Sequence, residues 1–263
     1  MQMVTEKVPT TILRETFTII VPAYNEQENV GNVLDEICGF ISNNGFNWKV
    51  IVSADGNDRT QEIVLSYSRE FPFVSISKSQ NRGGKGAAIK RVLDELDSEY
   101  IILMDADSSL SFETIVDNLD LLENYDCLVF SRYFNHNKIP HIRRLLSRGF
   151  NLLVKASLGI NISDTQSGYK AFKTQNFLSA MNKVGVTNTF FDISLFWYLI
   201  LENARIKEVE ASYSHRTGGK FHPLSEAFGQ GVSLLAFRVR HSRFYKYVPR
   251  ELISLYYRKL RWI

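Results

Sequence analysis

Two acidic side chains two residues apart, Asp105 and Asp107 with Ala106 between them, follow directly on the apolar run Tyr100–Met104. Carboxylates at the end of a buried strand can share one hard divalent cation. Mg²⁺ or Mn²⁺ prefers oxygen ligands and completes its shell with water or substrate phosphate. The same pair could instead cap a helix from a solvated loop. Three further polar motifs also end apolar runs: Val21-Pro22-Ala23-Tyr24-Asn25-Glu26, Ser53-Ala54-Asp55-Gly56-Asn57-Asp58-Arg59-Thr60, and Asn81-Arg82-Gly83-Gly84-Lys85-Gly86. Glycines at a helix start expose backbone N–H groups suited to phosphate, and Lys85 adds charge. Singly each motif reads as turn chemistry. Four at four successive strand ends read as a site.

The elements that must position them alternate. Strands are expected at Thr16–Val21, Trp48–Ser53, Phe73–Ser77, Tyr100–Met104 and Cys127–Phe130, with helices at Asn25–Phe40, Asp58–Tyr67, Gly84–Leu96 and Ser111–Leu122. This alternation predicts an α/β fold, a mostly parallel sheet flanked by helices, whose sites gather at the carboxyl ends of the strands. The second half is less regular. Ile142–Leu158 is expected to be an amphipathic helix with Ile142, Leu145, Leu146, Leu152, Leu153 and Ala156 on one face and Arg144, Arg148, Asn151 and Lys155 opposite. Phe190–Leu201 reads as a buried helix, Arg205–Ser212 as a strand, and Arg216–Lys220 as a Gly-rich loop. Ser225–Phe237 and Pro249–Ile263 read as helices. The expected organisation is residues 1–224 as the α/β unit and 225–263 as a basic amphipathic helical extension of the same compact body.

Composition narrows the classes. The 263 residues are 44% hydrophobic and 22% charged, which excludes a disordered chain and allows a core without disulfides or structural metal. No uncharged run reaches the roughly twenty apolar residues of a membrane span, and the N-terminus shows no apolar signal core. The expectation is a cytoplasmic protein, with Cys38 and Cys127 as buried reduced thiols. The net charge of +3 is unevenly spread. Residues 136–160 and 238–263 are strongly basic and leave the rest of the chain acidic, which points to an anionic partner: nucleic acid, anionic lipid or a phosphorylated substrate. No nucleic-acid module signature is present, so nucleic acid is set aside.

As an ordered set, VPAYNE, the Asp-Gly motif, NRGGKGAA and DAD resemble the nucleotide-sugar half of inverting GT-A glycosyltransferases of family 2. Downstream, Ser131-Arg132-Tyr133, Arg143 and Ser147 in IRRLLSRGFN, the stretch Asp164–Lys170 (DTQSGYK) and Phe191-Asp192-Ile193 are similar to dolichyl-phosphate sugar synthases, which charge a polyprenyl phosphate with glucose or mannose. The DTQSGYK stretch resembles the glucosyl enzymes, whose donor is UDP-glucose, more than the mannosyl ones, so UDP-glucose is the favoured donor and GDP-mannose the next. The resemblance spans roughly residues 16–220. It departs at Ala54, where an acidic residue is usual, and at Ser109, where some relatives carry Gln.

The resemblance implies a GT-A (Rossmann-like) fold and a set of roles. Pro22, Ala23, Tyr24, Glu26 and Asp55 would frame the base and ribose. Lys85 would contact base, ribose or diphosphate. Asp105, Ala106 and Asp107 would face the donor, with Mg²⁺ or Mn²⁺ at Asp105 and Asp107. Arg132, Arg143 with Ser147, and Arg216 would meet the phosphate of a polyprenyl or dolichyl acceptor, the chain lying peripherally on the cytoplasmic face of an anionic membrane, with oligomer contact as the other use of its basic helices. Arg132 has a structural ion pair as its alternative, and Asp192 is equally an acceptor-side carboxylate or a buried hydrogen-bonder. A saccharide acceptor would need Asp192 or Asp164 as base. A noncatalytic nucleotide-sugar-binding module is the remaining alternative.

Overall fold

The computed structural model describes residues 11–107, 109–132, 141–185, 188, 190–213, 223–249 and 251. Strands β1 (Phe17–Tyr24), β2 (Lys49–Asp55) and β3 (Val74–Ser79) run parallel, joined through helices α1 (Val30–Asn44) and α2 (Thr60–Glu70). After α3 (Lys85–Lys90) the chain returns to the other side of β1 as β4 (Tyr100–Leu103). Helix α4 (Phe112–Val116), β5 (Cys127–Ser131), α5 (His141–Leu158), β6 (Lys170–Lys173), α6 (Thr174–Lys183), α7 (Phe191–Leu201), β7 (Ile206–Glu210) and α8 (Pro223–Arg240) follow. The strand order is β3-β2-β1-β4-β6-β5-β7. Only β6 is antiparallel, to both β4 and β5.

The β-branched and aliphatic runs of β1, β2, β4 and β5 are buried on both faces, as a helix-covered sheet requires. One face packs Val33, Leu34 and Ile37 of α1 with Trp48 and Phe112. The other packs Phe172 and Phe177 with Phe196 and Leu199 of α7 and Leu234 and Phe237 of α8. The order in which strands are added reverses between β1 and β4, and ligands of open α/β sheets bind outside the strand ends at such a switch point.

Two expectations are corrected. The first helix starts at Val30, not Asn25, because the preceding N–H groups are taken elsewhere: Glu26 N–H donates to Thr60 Oγ1 at 2.8 Å and Gln27 N–H to Asp58 Oδ2 at 3.1 Å. Strand β6 and helix α6 were not anticipated. Four residues with lysine at both ends carry no strand signal, and β6 exists because β4 and β5 offer it a hydrogen-bonding ladder on each side. Helix α5, expected as amphipathic, leaves part of its leucine face exposed. Phe150 and Val154 are buried while Leu145 is 73% and Leu152 67% exposed. Its docking is set by Asn151, whose amide donates to Ser163 O and whose Oδ1 accepts from Thr165 Oγ1. The helix expected over Pro249–Ile263 and the loop 216–220 lie outside the described residues.

Asp126 ties the last three strands together. It accepts from Lys173 Nζ at 3.1 Å, from Arg205 N–H at 2.8 Å and from Arg205 Nε at 3.3 Å. Burial pushes its carboxyl up, but the Arg205 and Lys173 bonds outweigh burial and hold it at about 2. The folded value lies below the unfolded one, so this contribution is complete above about pH 4 and is lost as pH falls towards the folded value. Asp126→Asn is therefore expected to flatten the acid limb of the urea-unfolding free energy between about pH 4 and pH 2, with an unchanged slope marking the clip as irrelevant to acid stability.

Candidate active site at the sheet switch point

The strand register assembles the motifs. Tyr24 stands beside Asp55, and Asp55 beside Ser79, so the ends of β1, β2 and β3 share one edge. The N–H of Met104 donates to Ile20 O, which brings Asp105 out beside the end of β1. Gly56 is required at its turn twice over: its φ is +104°, and a Cβ there would lie 2.1 Å from Asn25 Oδ1. That Asn25 oxygen accepts the Asn57 N–H, locking the first motif to the second.

Asp55 is buried. Its Oδ1 accepts from Arg91 Nη2 at 2.5 Å and its Oδ2 from Gly83 N–H at 3.1 Å. Arg91 Nη2 also reaches Ser53 Oγ and its Nε reaches Ser77 Oγ. Asp55, expected at the nucleoside, thus anchors the glycine loop through an ion pair the sequence did not reveal. Ala54 is fully buried, so its departure removes a carboxylate from the interior of the sheet end. Tyr24 is exposed and carries the Arg82 guanidinium 4.6 Å over its ring, a cation–π contact. Pro22 and Ala23 line the edge behind it, with Ala23 buried. Burial lifts the Glu26 carboxyl above its ordinary range; the Asn29 bond opposes this and the charges of Asp107, Asp105 and Asp58 add to it.

Lys85 Nζ donates to Asp105 Oδ1 at 2.7 Å. Burial pushes the Lys85 ammonium down, yet Asp105 and Asp192 outweigh it and hold it above its usual value. Burial likewise pushes Asp105 up, and Lys85, Lys170 and Arg132 more than reverse that. Both groups are therefore charged at neutral pH. Asp107 Oδ1 accepts from Tyr169 Oη at 2.8 Å and from Ser109 N–H at 3.1 Å, and its Oδ2 accepts no hydrogen bond among the described residues. Ala106 is buried and serves as the spacer. No group of three His, Cys, Asp or Glu side chains able to hold a metal occurs among the described residues. The donor set fits a Mg²⁺-like ion bound by one or two carboxylates, the rest of its shell coming from water and phosphate.

Behind these groups lies a buried layer of ion pairs. Lys170 Nζ meets Asp192 Oδ1 at 2.8 Å and also bonds Ser167 O. Burial drives the Lys170 ammonium below its usual value, with Asp192 opposing. Arg132, expected at an acceptor phosphate, directs Nε and Nη2 at Asp164 at 2.9 and 2.8 Å, and Asp164 is buried. Ser147 is half-buried on α5; the side chain of Arg143, and Arg216, lie outside the described residues. Sequence reasoning missed Gly168, where a Cβ would sit 1.7 Å from Asp105 Oδ2, and Tyr169. Both stand in the DTQSGYK stretch, but nothing in its pattern shows that it closes on Asp105 and Asp107.

The fold is that of a GT-A glycosyltransferase. The chain belongs to glycosyl transferase family 2, whose family model matches residues 18–178. It is 27% identical over 243 residues to a dolichyl-phosphate beta-glucosyltransferase of Dictyostelium discoideum, covering 85% of this chain and 74% of that protein. It is 30% identical over 176 residues to one from Trichomonas vaginalis, covering 60% of this chain and 53% of that one, about half its length. Among solved structures, glucosyl-3-phosphoglycerate synthase from Mycobacterium tuberculosis, in complex with Mn²⁺, UDP-glucose and phosphoglyceric acid, superposes with a TM-score of 0.63 at 18% identity, covering 86% of this chain and 79% of that one.

Arg91→Met leaves the Asp55 carboxylate buried without its counter-charge. Urea unfolding should show a loss of about 3 kcal/mol, and amide exchange at Gly83 should accelerate. Adding Asp55→Asn should recover part of the stability. Unchanged exchange at Gly83 would show that the loop does not depend on this pair.

Proposed function

We propose that the chain transfers glucose, with inversion, from UDP-glucose to dolichyl or polyprenyl phosphate at a membrane surface. The observation that carries the choice of acceptor is the state of the two carboxylates beside the site. A sugar hydroxyl needs a general base to remove its proton. The candidates for that role, Asp192 and Asp164, are both buried in ion pairs with Lys170 and Arg132. A monoalkyl phosphate has a second pKa of about 6 and is largely a dianion at neutral pH, so it needs no base. This supports a phosphate acceptor, and the names of the relatives supply the dolichyl carrier and the glucose.

On the donor side, Asp107 would hold Mg²⁺ or Mn²⁺, an ion that offsets the charge growing on the departing diphosphate. Lys85 keeps Asp105 ionised and oriented beside it. Tyr24, Glu26 and the Asp55-anchored loop frame the nucleoside end of the same edge. Arg132 adds positive potential at the acceptor side while keeping its Nε and Nη2 on Asp164. Arg143, Ser147 and Arg216 remain the proposed phosphate contacts.

The membrane reading draws support from the outer surface. Helices α5 and α8 pack together. They and the turn after α8 expose Leu145, Leu152, Leu153, Leu235, Phe244 and Tyr247 among exposed Arg148, Lys155, Arg238, Arg243 and Lys246. Apolar side chains among cations suit an anionic interface, each cation near it adding about 1 kcal/mol. No helix among the described residues is long and apolar enough to cross a membrane.

The purified protein, incubated with Mg²⁺ or Mn²⁺, dolichyl phosphate in detergent and in turn UDP-glucose, GDP-mannose or UDP-N-acetylglucosamine, should yield glucosyl lipid from UDP-glucose alone by mass spectrometry. Asp107→Ala should lower the rate roughly a hundredfold or more. Product from another donor would replace the sugar. Donor cleavage with saccharide acceptors but never with the lipid would overturn the phosphate reading. In flotation assays the protein should rise with phosphatidylserine-rich vesicles and less so after Arg238→Glu with Lys246→Glu; equal recovery with neutral vesicles would remove the electrostatic part of the docking.

A further inference from the structure

Tyr169 is buried, with 1% of its surface exposed, and its ring stands edge-on to Tyr213 at a centroid separation of 5.6 Å. A phenol so placed needs partners for one donor and two acceptor positions. All are filled from the loop after β4. Tyr169 Oη donates to Asp107 Oδ1 at 2.8 Å, accepts from Ser109 N–H at 3.0 Å and lies 3.4 Å from Leu110 N–H, with Ser109 Oγ at 3.2 Å. Ser109 N–H also donates to Asp107 Oδ1. The phenol therefore bonds both the carboxylate and the backbone that follows it, from the residue just before β6, the strand that runs antiparallel to β4.

We infer that Tyr169 is a positioning residue for the divalent cation: it holds Asp107 by Oδ1 and so presents Oδ2 to the metal. Two hydrogen bonds occupy the two lone pairs of Oδ1. Oδ2, which accepts no hydrogen bond among the described residues, is left as a single-oxygen ligand. A ligand held in one rotamer loses less freedom when the ion arrives, and partners of metal ligands typically account for about 10–100-fold in affinity. Asp105 gains no such hold from Tyr169; its Oδ1 is bonded to Lys85 and its Oδ2 is crowded by the backbone at Gly168. The inference rests on the metal-dependent donor site proposed above.

The test is Mn²⁺ affinity, followed by electron paramagnetic resonance of free Mn²⁺ titrated into protein with UDP, for the wild type, Tyr169→Phe and Asp107→Ala. Tyr169→Phe keeps the ring against Tyr213 and removes only the hydroxyl. It should bind Mn²⁺ about tenfold more weakly, with far-UV circular dichroism, and UDP affinity in the presence of EDTA, close to wild type. Equal Mn²⁺ affinity in the wild type and Tyr169→Phe, with Asp107→Ala binding weakly, would overturn the role of Tyr169 alone. No Mn²⁺ binding by the wild type would overturn the metal reading of the site and this inference with it. Equal losses of Mn²⁺ affinity and of metal-free UDP affinity in Tyr169→Phe would mark the hydroxyl as generally structural and likewise overturn the inference. If Tyr169→Phe does not fold, the same titration of Tyr213→Phe, which leaves the Asp107 bond in place, should match the wild type; a tenfold loss there would place the effect in packing rather than in the hydroxyl.

Discussion

A side chain at residue 168 would collide with the carboxylate of Asp105, and on that close approach the arrangement of the site depends. The approach arises because β6 runs antiparallel between β4 and β5. A strand entering in that direction delivers the turn that precedes it, Asp164–Tyr169, to the same edge at which β4 ends. Gly168 then meets Asp105 and Tyr169 meets Asp107. Had β6 been parallel, the turn would lie at the opposite edge of the sheet and Asp107 would have no buried partner.

Charge balance follows from the same geometry. Asp105, Asp164 and Asp192 are set against Lys85, Arg132 and Lys170 in three ion pairs. Two of these pairs are buried on the acid side, where breaking one partner costs far more than the pair contributes. Their purpose here is orientation. They hold a cationic environment beneath Asp105 and keep Asp164 and Asp192 paired with Arg132 and Lys170, which is what supports the proposed phosphate acceptor.

The outer surface answers a different constraint. Helix α5 is fastened to the Ser163–Thr165 turn by Asn151 and to the core by Phe150 and Val154. Leu145, Leu152 and Leu153 are therefore turned outward. The helix that carries Ser147 also exposes Leu145, Leu152 and Leu153 at the surface.

The sequence by itself determined the strand–helix alternation and the sheet edge at which Asp105, Asp107, Lys85 and Tyr24 gather. Each of these is a local matter: apolar periodicity makes a strand, and a strand's end is where polar motifs emerge. It could not show the partner of any of them. Asp55 meeting Arg91, Asp107 meeting Tyr169 and Asp192 meeting Lys170 join residues 22 to 62 positions apart, and no periodicity encodes such pairings. Amphipathicity likewise marks the two faces of α5 but not which one the rest of the fold will cover. Only the tertiary structure decided that, through the direction of β6 and the hydrogen bonds of Asn151, because long-range packing chooses among faces and partners that local chemistry leaves equivalent.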